Sequence, residues 1–159
     1  MSEQLQQPDP LKDGHDHINA WSKGRTPLGR ALSNFAPVGF MHPKYGHFAS
    51  IEGFWYYLGT GCQHDDLRRL HGYPAKQHGC SYEQVPIENF EGQIEEAVIL
   101  KIEQHPNLLS AVLNNKLPIY HYYVYGENPF RIVNKTDQID FLTNAIQRLR
   151  EKYPTRDLR

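Results

Sequence analysis

Apolar positions recur at a helical period most clearly just after Ser50, where Ile51, Phe54, Trp55 and Leu58 fall at i, i+3, i+4 and i+7. Ser50 is placed to cap that helix, and Gly59 and Gly61 to end it. Glu52 lies on the flank of the stripe, about 110° from its centre, with Tyr56 one turn further on. Asp65 and Asp66 open a short helix carrying Leu67 and Leu70 that stops at Gly72. A longer helix begins near Glu88, with Phe90, Ile94, Ala97 and Val98 on one face. The pair His105-Pro106 breaks it, because proline has no N–H to donate, and Pro106 opens a further helix facing inward through Leu108, Leu109, Val112 and Leu113. The final helix is capped by Thr136, favoured by Asp137, and striped by Ile139, Leu142, Ile146 and Leu149. Arg148, Arg150 and Lys152 complement its C-terminal end before Pro154.

Between these helices the pattern turns extended. Short strands are predicted over 18–21, 38–42, 47–49, 116–125 and 130–133, with a further extended piece at 32–36. Residues 43–46 and 126–129 are turns. Residues 23–30 form a turn-rich basic loop, and 73–86 are mostly loop. Residues 1–17, poor in apolar weight, form a flexible arm; 18–154 make the domain, and 155–159 a tail. No internal repeat and no long linker divides the chain. The expected architecture is α+β: a single compact domain with a small mixed or antiparallel sheet and a mainly helical surround.

Composition narrows the function. Seventeen basic against eighteen acidic residues give a net charge of -1, which argues against a dominant non-specific grip on nucleic acid. Two cysteines, Cys62 and Cys80, make no disulfide framework. Neither a signal region nor a membrane-spanning run is apparent, so the cytoplasm is the expected location. Ten tyrosines exceed what a core needs, so some should line a groove.

Metal chemistry has weak support. Cys62, His64, His78 and Cys80 would meet if the loop between them folded back, but neither pair has the usual zinc spacing. There is no His-Glu-x-x-His, nucleophile elbow, P-loop or dinucleotide fingerprint. No metal and no cofactor is therefore expected. Glycosidases usually pair two carboxylates, and besides Glu52 the chain offers Asp65, Asp66, Glu83, Glu88 and Glu127. A nucleobase is a better leaving group than a sugar once its ring nitrogens are protonated or hydrogen-bonded. One carboxylate that orients water and balances a developing oxocarbenium ion is then sufficient. Tyr56 and Tyr125 are candidate stacking or contact residues, and Arg25 and Arg30 a candidate diphosphate clamp.

Two motifs carry a resemblance. Leu32-Ser-Asn-Phe-Ala-Pro37 followed by Phe48-Ala-Ser-Ile-Glu-Gly-Phe-Trp-Tyr-Tyr57 resembles the opening signature of the NADAR family of YbiA-like N-glycosidases. Pro74-Ala-Lys-Gln-His-Gly79 is similar to a loop of that family. The stretch from Glu88-Asn-Phe-Glu-Gly to Lys101-Ile-Glu-Gln-His-Pro-Asn-Leu-Leu109 is similar to its long helix and following turn. The similarity spans roughly residues 18–151.

The resemblance implies cleavage of an N-glycosidic bond between a base and a phosphorylated ribose or ADP-ribose. The implied substrates are riboflavin-pathway aminopyrimidine ribotides and ADP-ribosylated guanine, with ADP-ribosylated DNA as one carrier. It implies that Glu52 is the central acid, that Asn34 lies in the ribose-binding wall, and that Lys76 and Gly79 help hold phosphate or base. Phe90 occupies the place of a substrate-contacting Trp. Cys80 stands where the family has Arg, and residues 121–126 replace an acidic segment ending in Tyr-Trp-Gly, leaving Tyr122 or His121 in place of the acid. Those departures keep a non-catalytic nucleotide or ADP-ribose binding module as the alternative.

Overall fold

The computed structural model describes residues 7–127, 129–135 and 141–154. The first half contains β1 (Ile18–Asn19), α1 (Pro27–Leu32), β2 (Phe40–His42), β3 (Gly46–Phe48) and α2 (Ile51–Gly59). A 3-10 turn, Asp65–Arg69, leads to α3 (Gly72–Cys80), α4 (Phe90–Glu103) and α5 (Pro106–Asn114). The chain then runs through β4 (Ile119–Tyr120), β5 (Tyr122–Tyr125) and β6 (Arg131–Asn134) to α6 (Phe141–Lys152). Among the described residues no helix is long and apolar enough to cross a membrane.

Helix α2 forms where the stripe and cap predict it. Ser50 Oγ accepts from Gly53 N at 3.0 Å and donates to Leu70 O at 2.8 Å, so one hydroxyl caps the helix and ties it to the chain beyond the 3-10 turn. Ile51, Phe54 and Leu58 are buried, but so are Tyr56 and Tyr57, while Trp55 is only partly covered. The helix is enclosed on more than one side: the 3-10 turn, α3 and α4 all pack on it. Phe54 meets Phe40 and Phe48 edge-on at 5.7 and 5.0 Å, locking α2 to the β2–β3 hairpin. Helix α4 in turn carries α5, α6 and β2, so the core is continuous from the hairpin to the C-terminal helix.

Among the described residues the strands form three separate two-stranded ladders. Strands β2 and β3 pair antiparallel across the turn at 43–46, with Gly46 at φ +86°. Strands β5 and β6 pair antiparallel, and β1 pairs parallel with β4. Asn19 bridges the break between β4 and β5: its Nδ2 donates to Tyr122 O at 2.9 Å and its Oδ1 accepts from Tyr122 N at 3.0 Å.

Four expectations need correction. Of the segment expected to be a flexible arm, residues 1–6 lie outside the described residues, and in the rest Asp13 and His17 are buried. The Asp13 carboxylate accepts from the backbone of Asn19 and Arg25, and His17 Nε2 meets the Tyr122 hydroxyl at 2.5 Å. Polar side chains anchor what apolar weight does not. The predicted basic loop contains α1, started by Thr26 capping Gly29 N at 2.9 Å and by Pro27 in its first turn. Leu32 ends that helix, and the chain then turns rather than extending. The predicted loop at 73–86 contains α3, a weakly amphipathic helix whose buried residues Ala75 and Gly79 lie one turn apart. Small residues, not an apolar stripe, bring it against α2. The caps Thr136 and Asp137, Ile139 of the last stripe, and the tail at 155–159 lie outside the described residues; Leu142, Ile146 and Leu149 are buried as predicted.

Candidate active site

Ser50 as N-cap makes Ile51 the first and Glu52 the second residue of α2. The Glu52 N–H donates to Asn34 O at 2.9 Å, so the turn after α1 is pinned to the start of α2. The Glu52 side chain is partly buried, and among the described residues its carboxylate accepts no hydrogen bond and joins no ion pair. Burial pushes its carboxyl up to about 7, against the opposing pull of the Lys76 charge. A carboxyl so raised is neither a solvated surface acid nor a structural ion-pair partner; it exchanges protons near neutral pH.

Helical geometry continues the Glu52 flank through Trp55, Tyr56 and Gly59, at i+3, i+4 and i+7. Those three line a cavity of about 280 Å³ completed by Gln84, Val85, Ile87 and Phe90. Glu52 stands one turn before this cavity and is not one of its walls. Phe90 opens α4 and presents its ring edge-on to Trp55 at 4.8 Å. The opposite wall is fixed by Val85 N donating to Gly59 O at 2.9 Å.

Tyr56 links the two parts. Its hydroxyl lies 3.4 Å from Cys80 Sγ, and burial, then the Cys80 contact and the Glu52 charge, raise its pKa so that the phenol stays protonated. Gly79 explains how α3 comes so near: a Cβ there would sit 2.0 Å from Tyr56 Cγ. On another side is Tyr123 of β5, whose phenol is raised by burial and by the Glu52 charge. Tyr123 packs edge-on to His121 at 5.4 Å and against Trp21 at 6.2 Å. The Asn34 side chain brings a different feature. Its Oδ1 is enclosed and has no hydrogen-bond partner among the described residues.

Of the residues expected from sequence, Glu52, Asn34, Tyr56, Lys76, Gly79 and Phe90 converge on this region. Lys76 is exposed on α3 and acts on Glu52 through its charge; Gly79 serves as a packing surface for Tyr56. Tyr125 is half exposed, with the Arg131 guanidinium 5.5 Å over its ring, and is not a wall of the cavity. Arg25 is held by its backbone to Asp13, and Arg30 donates to Gly24 O at 2.8 Å. No contact joins either arginine to the Glu52 group among the described residues.

The other candidate carboxylates go elsewhere. Asp65 pairs with Arg68, Asp66 accepts from Tyr82 at 2.8 Å, and Glu83, Glu88 and Glu127 are exposed. Tyr122, one of the two residues in place of the family's acid, has its hydroxyl hydrogen-bonded with His17 Nε2 in the core. The four candidate zinc ligands do not gather: His64 stacks on Tyr82 at 3.6 Å, and His78 meets Asp66 at 3.1 Å. Among the described residues no three His, Cys, Asp or Glu side chains are disposed to share a metal.

Two further hollows, of about 330 and 310 Å³, flank Arg150. Its guanidinium is already spent on the carbonyls of Val112, Asn115 and Leu117.

No family model and no curated protein matches the chain. Among solved structures, it is similar to the NMR structure of the Escherichia coli protein YbiA, with a TM-score of 0.59. The two share 16% identity over 91% of this chain and 92% of that one. The chain has the YbiA fold. The resemblance drawn from the Ser-Asn-Phe and Glu-aromatic segments therefore holds as architecture, and the α+β expectation with it. At such low identity the YbiA likeness carries the fold alone.

Sequence reasoning missed Tyr123, Trp21 and the cavity wall at Gln84, Val85 and Ile87. For Tyr123 a signal existed: it lies two residues before Tyr125 and so shares its face of β5. Nothing local marks Gln84, Val85 and Ile87, whose position depends on the Val85–Gly59 backbone bond between distant segments.

Proposed function

We propose that the chain is an N-glycosidase that hydrolyses the bond between a base and a phosphorylated ribose or ADP-ribose, with Glu52 as its catalytic carboxylate. The observation that carries this is a single desolvated, unpaired carboxylate at a helix N-terminus, one turn from an aromatic-walled cavity. Breaking C1′–N leaves positive charge on the ribose, and an ionised Glu52 offsets it while taking a proton from the incoming water. The departing nitrogen gains a proton as the new C1′–O bond forms, so the carboxylate is regenerated. Trp55 and Phe90 suit a planar base, since aromatic edges and faces bind flat rings without demanding a particular hydrogen-bond pattern. The Tyr56 phenol, kept protonated, is a donor between base and sugar. Lys76, exposed and near Glu52, supplies the cation for a phosphate.

A binding module without turnover is the second reading, favoured by the lack of a second carboxylate coupled to Glu52 among the described residues. One experiment separates them. The purified chain and its Glu52→Gln variant are offered ADP-ribosylated guanine oligonucleotide and the riboflavin-pathway aminopyrimidine ribotide, with released base followed by chromatography. The expected result is release by the wild type, at least about 100-fold slower release by the variant, and little change in substrate binding. Binding without release by the wild type makes the chain a module; equal rates for both proteins remove Glu52 from the mechanism.

A further inference from the structure

Lys101 has no role in the site as described, and its burial demands a reason. It lies on α4 at 1% exposure, among the buried Ala97, Val98 and Ile102 of the same helix. Removing an ammonium from water costs several kcal/mol, and burial here pushes Lys101 down to about 7. Methionine would fill similar space without that cost, so packing alone does not account for the residue. Its Nζ donates to Ser33 O at 3.1 Å, across 68 positions of sequence.

The next carbonyl along, that of Asn34, is the one that accepts the Glu52 N–H at 2.9 Å. The Asn34 side chain also carries the enclosed Oδ1 without a partner among the described residues. A short mechanical chain thus runs from Lys101 through Ser33 and Asn34 to the first turn of α2. Lys76 is the charge that perturbs Glu52, so the link from Lys101 is through backbone position and not through its field.

We infer that Lys101 is a positioning residue: by holding the Ser33 carbonyl it fixes the turn at residues 33–34 against α2, and so sets the Asn34 amide and the Glu52 carboxylate relative to one another. Its importance for turnover rests on the role proposed for Glu52; the tether itself does not.

Amide hydrogen exchange on the full chain tests the tether directly, comparing wild type, Lys101→Met and Lys101→Gln. In K101M the Glu52 amide should exchange about tenfold faster, the effect of losing one buried hydrogen bond locally, while Phe54 and Ile102 keep their rates. K101Q retains a neutral N–H donor and should restore most of that protection, which also covers the case in which methionine disturbs folding. With the ADP-ribosylated guanine oligonucleotide, kcat of K101M should fall about tenfold at unchanged KM. Glu52 exchange that stays at the wild-type rate, or that changes only in step with Ile102, overturns the inference, as does K101Q exchanging as fast as K101M. If the wild type hydrolyses neither substrate, the role of Glu52 fails while the exchange comparison still decides the tether.

Discussion

Replacing Glu52 with Gln should stabilise the protein while silencing it, and the stability gain has a defined pH dependence. The Glu52 carboxyl is raised from 4.5 to about 7, with burial the leading cause. Between those values the folded chain holds a proton there that the unfolded chain has lost, so wild-type stability declines as pH rises through the window. The interval, at about 1.4 kcal/mol per pH unit, sets a ceiling of about 3 kcal/mol. Residual solvent contact and the favourable helix terminus leave an expected difference of about 1 to 3 kcal/mol. Glutamine has a similar shape and no such slope. The two proteins should therefore match below pH 4.5, diverge towards pH 7, and stay apart above it with E52Q the more stable. Urea denaturation at half-unit steps from pH 4 to 8.5 measures this, and the wild-type-minus-variant difference cancels every other titrating group. Parallel curves across that range would mean that Glu52 is not desolvated in the folded state, and the site as described would lose its central feature.

Further outcomes follow from single contacts. Lys76→Ala removes the charge that lowers the Glu52 pKa, so the acidic limb of a pH profile of kcat/KM should move to higher pH; a limb that stays in place separates Lys76 from Glu52. Gly79→Ala forces a methyl into the Tyr56 ring and should cost about 1 to 3 kcal/mol in urea denaturation, with a matching loss of turnover. A fully stable G79A would show that α3 can withdraw from α2 without penalty. Phe90→Ala opens the cavity wall facing Trp55 and should raise KM about tenfold with a smaller effect on kcat; an unchanged KM would take the base away from that cavity.

Most of the helical frame was legible because long apolar stripes report their own burial: α2, α4, α5 and α6 all appear where Ile51, Ile94, Leu108 and Leu142 predict them. The two missed helices are short and built on different principles. In α1 the signal lay in Thr26-Pro27, which a reading of Gly and Pro as loop markers overrode. In α3 the decisive residue was Gly79, whose meaning depends on a tyrosine 23 positions earlier and cannot be seen locally. The site divided in the same way. Glu52 and its flank follow from helical angles within one segment, and Asn34 and Phe90 from the family resemblance. Tyr123 and the Gln84–Val85–Ile87 wall arrive through tertiary contacts, while the described contacts of Arg25, Arg30 and Tyr125 are to Asp13, Gly24 and Arg131. Lys101 was invisible for a related reason: on α4 it reads as a polar flank residue until Ser33 is folded over it.

Asn19 also governs the order in which the molecule can be assembled. Its amide grips a backbone 103 positions away, and the strand it belongs to pairs with a segment near residue 119. A nascent chain emerging from the ribosome has neither partner for this strand until about 100 further residues have been made. The opening segment must then wait exposed, and closing so long a loop places this step late in folding and makes it slow.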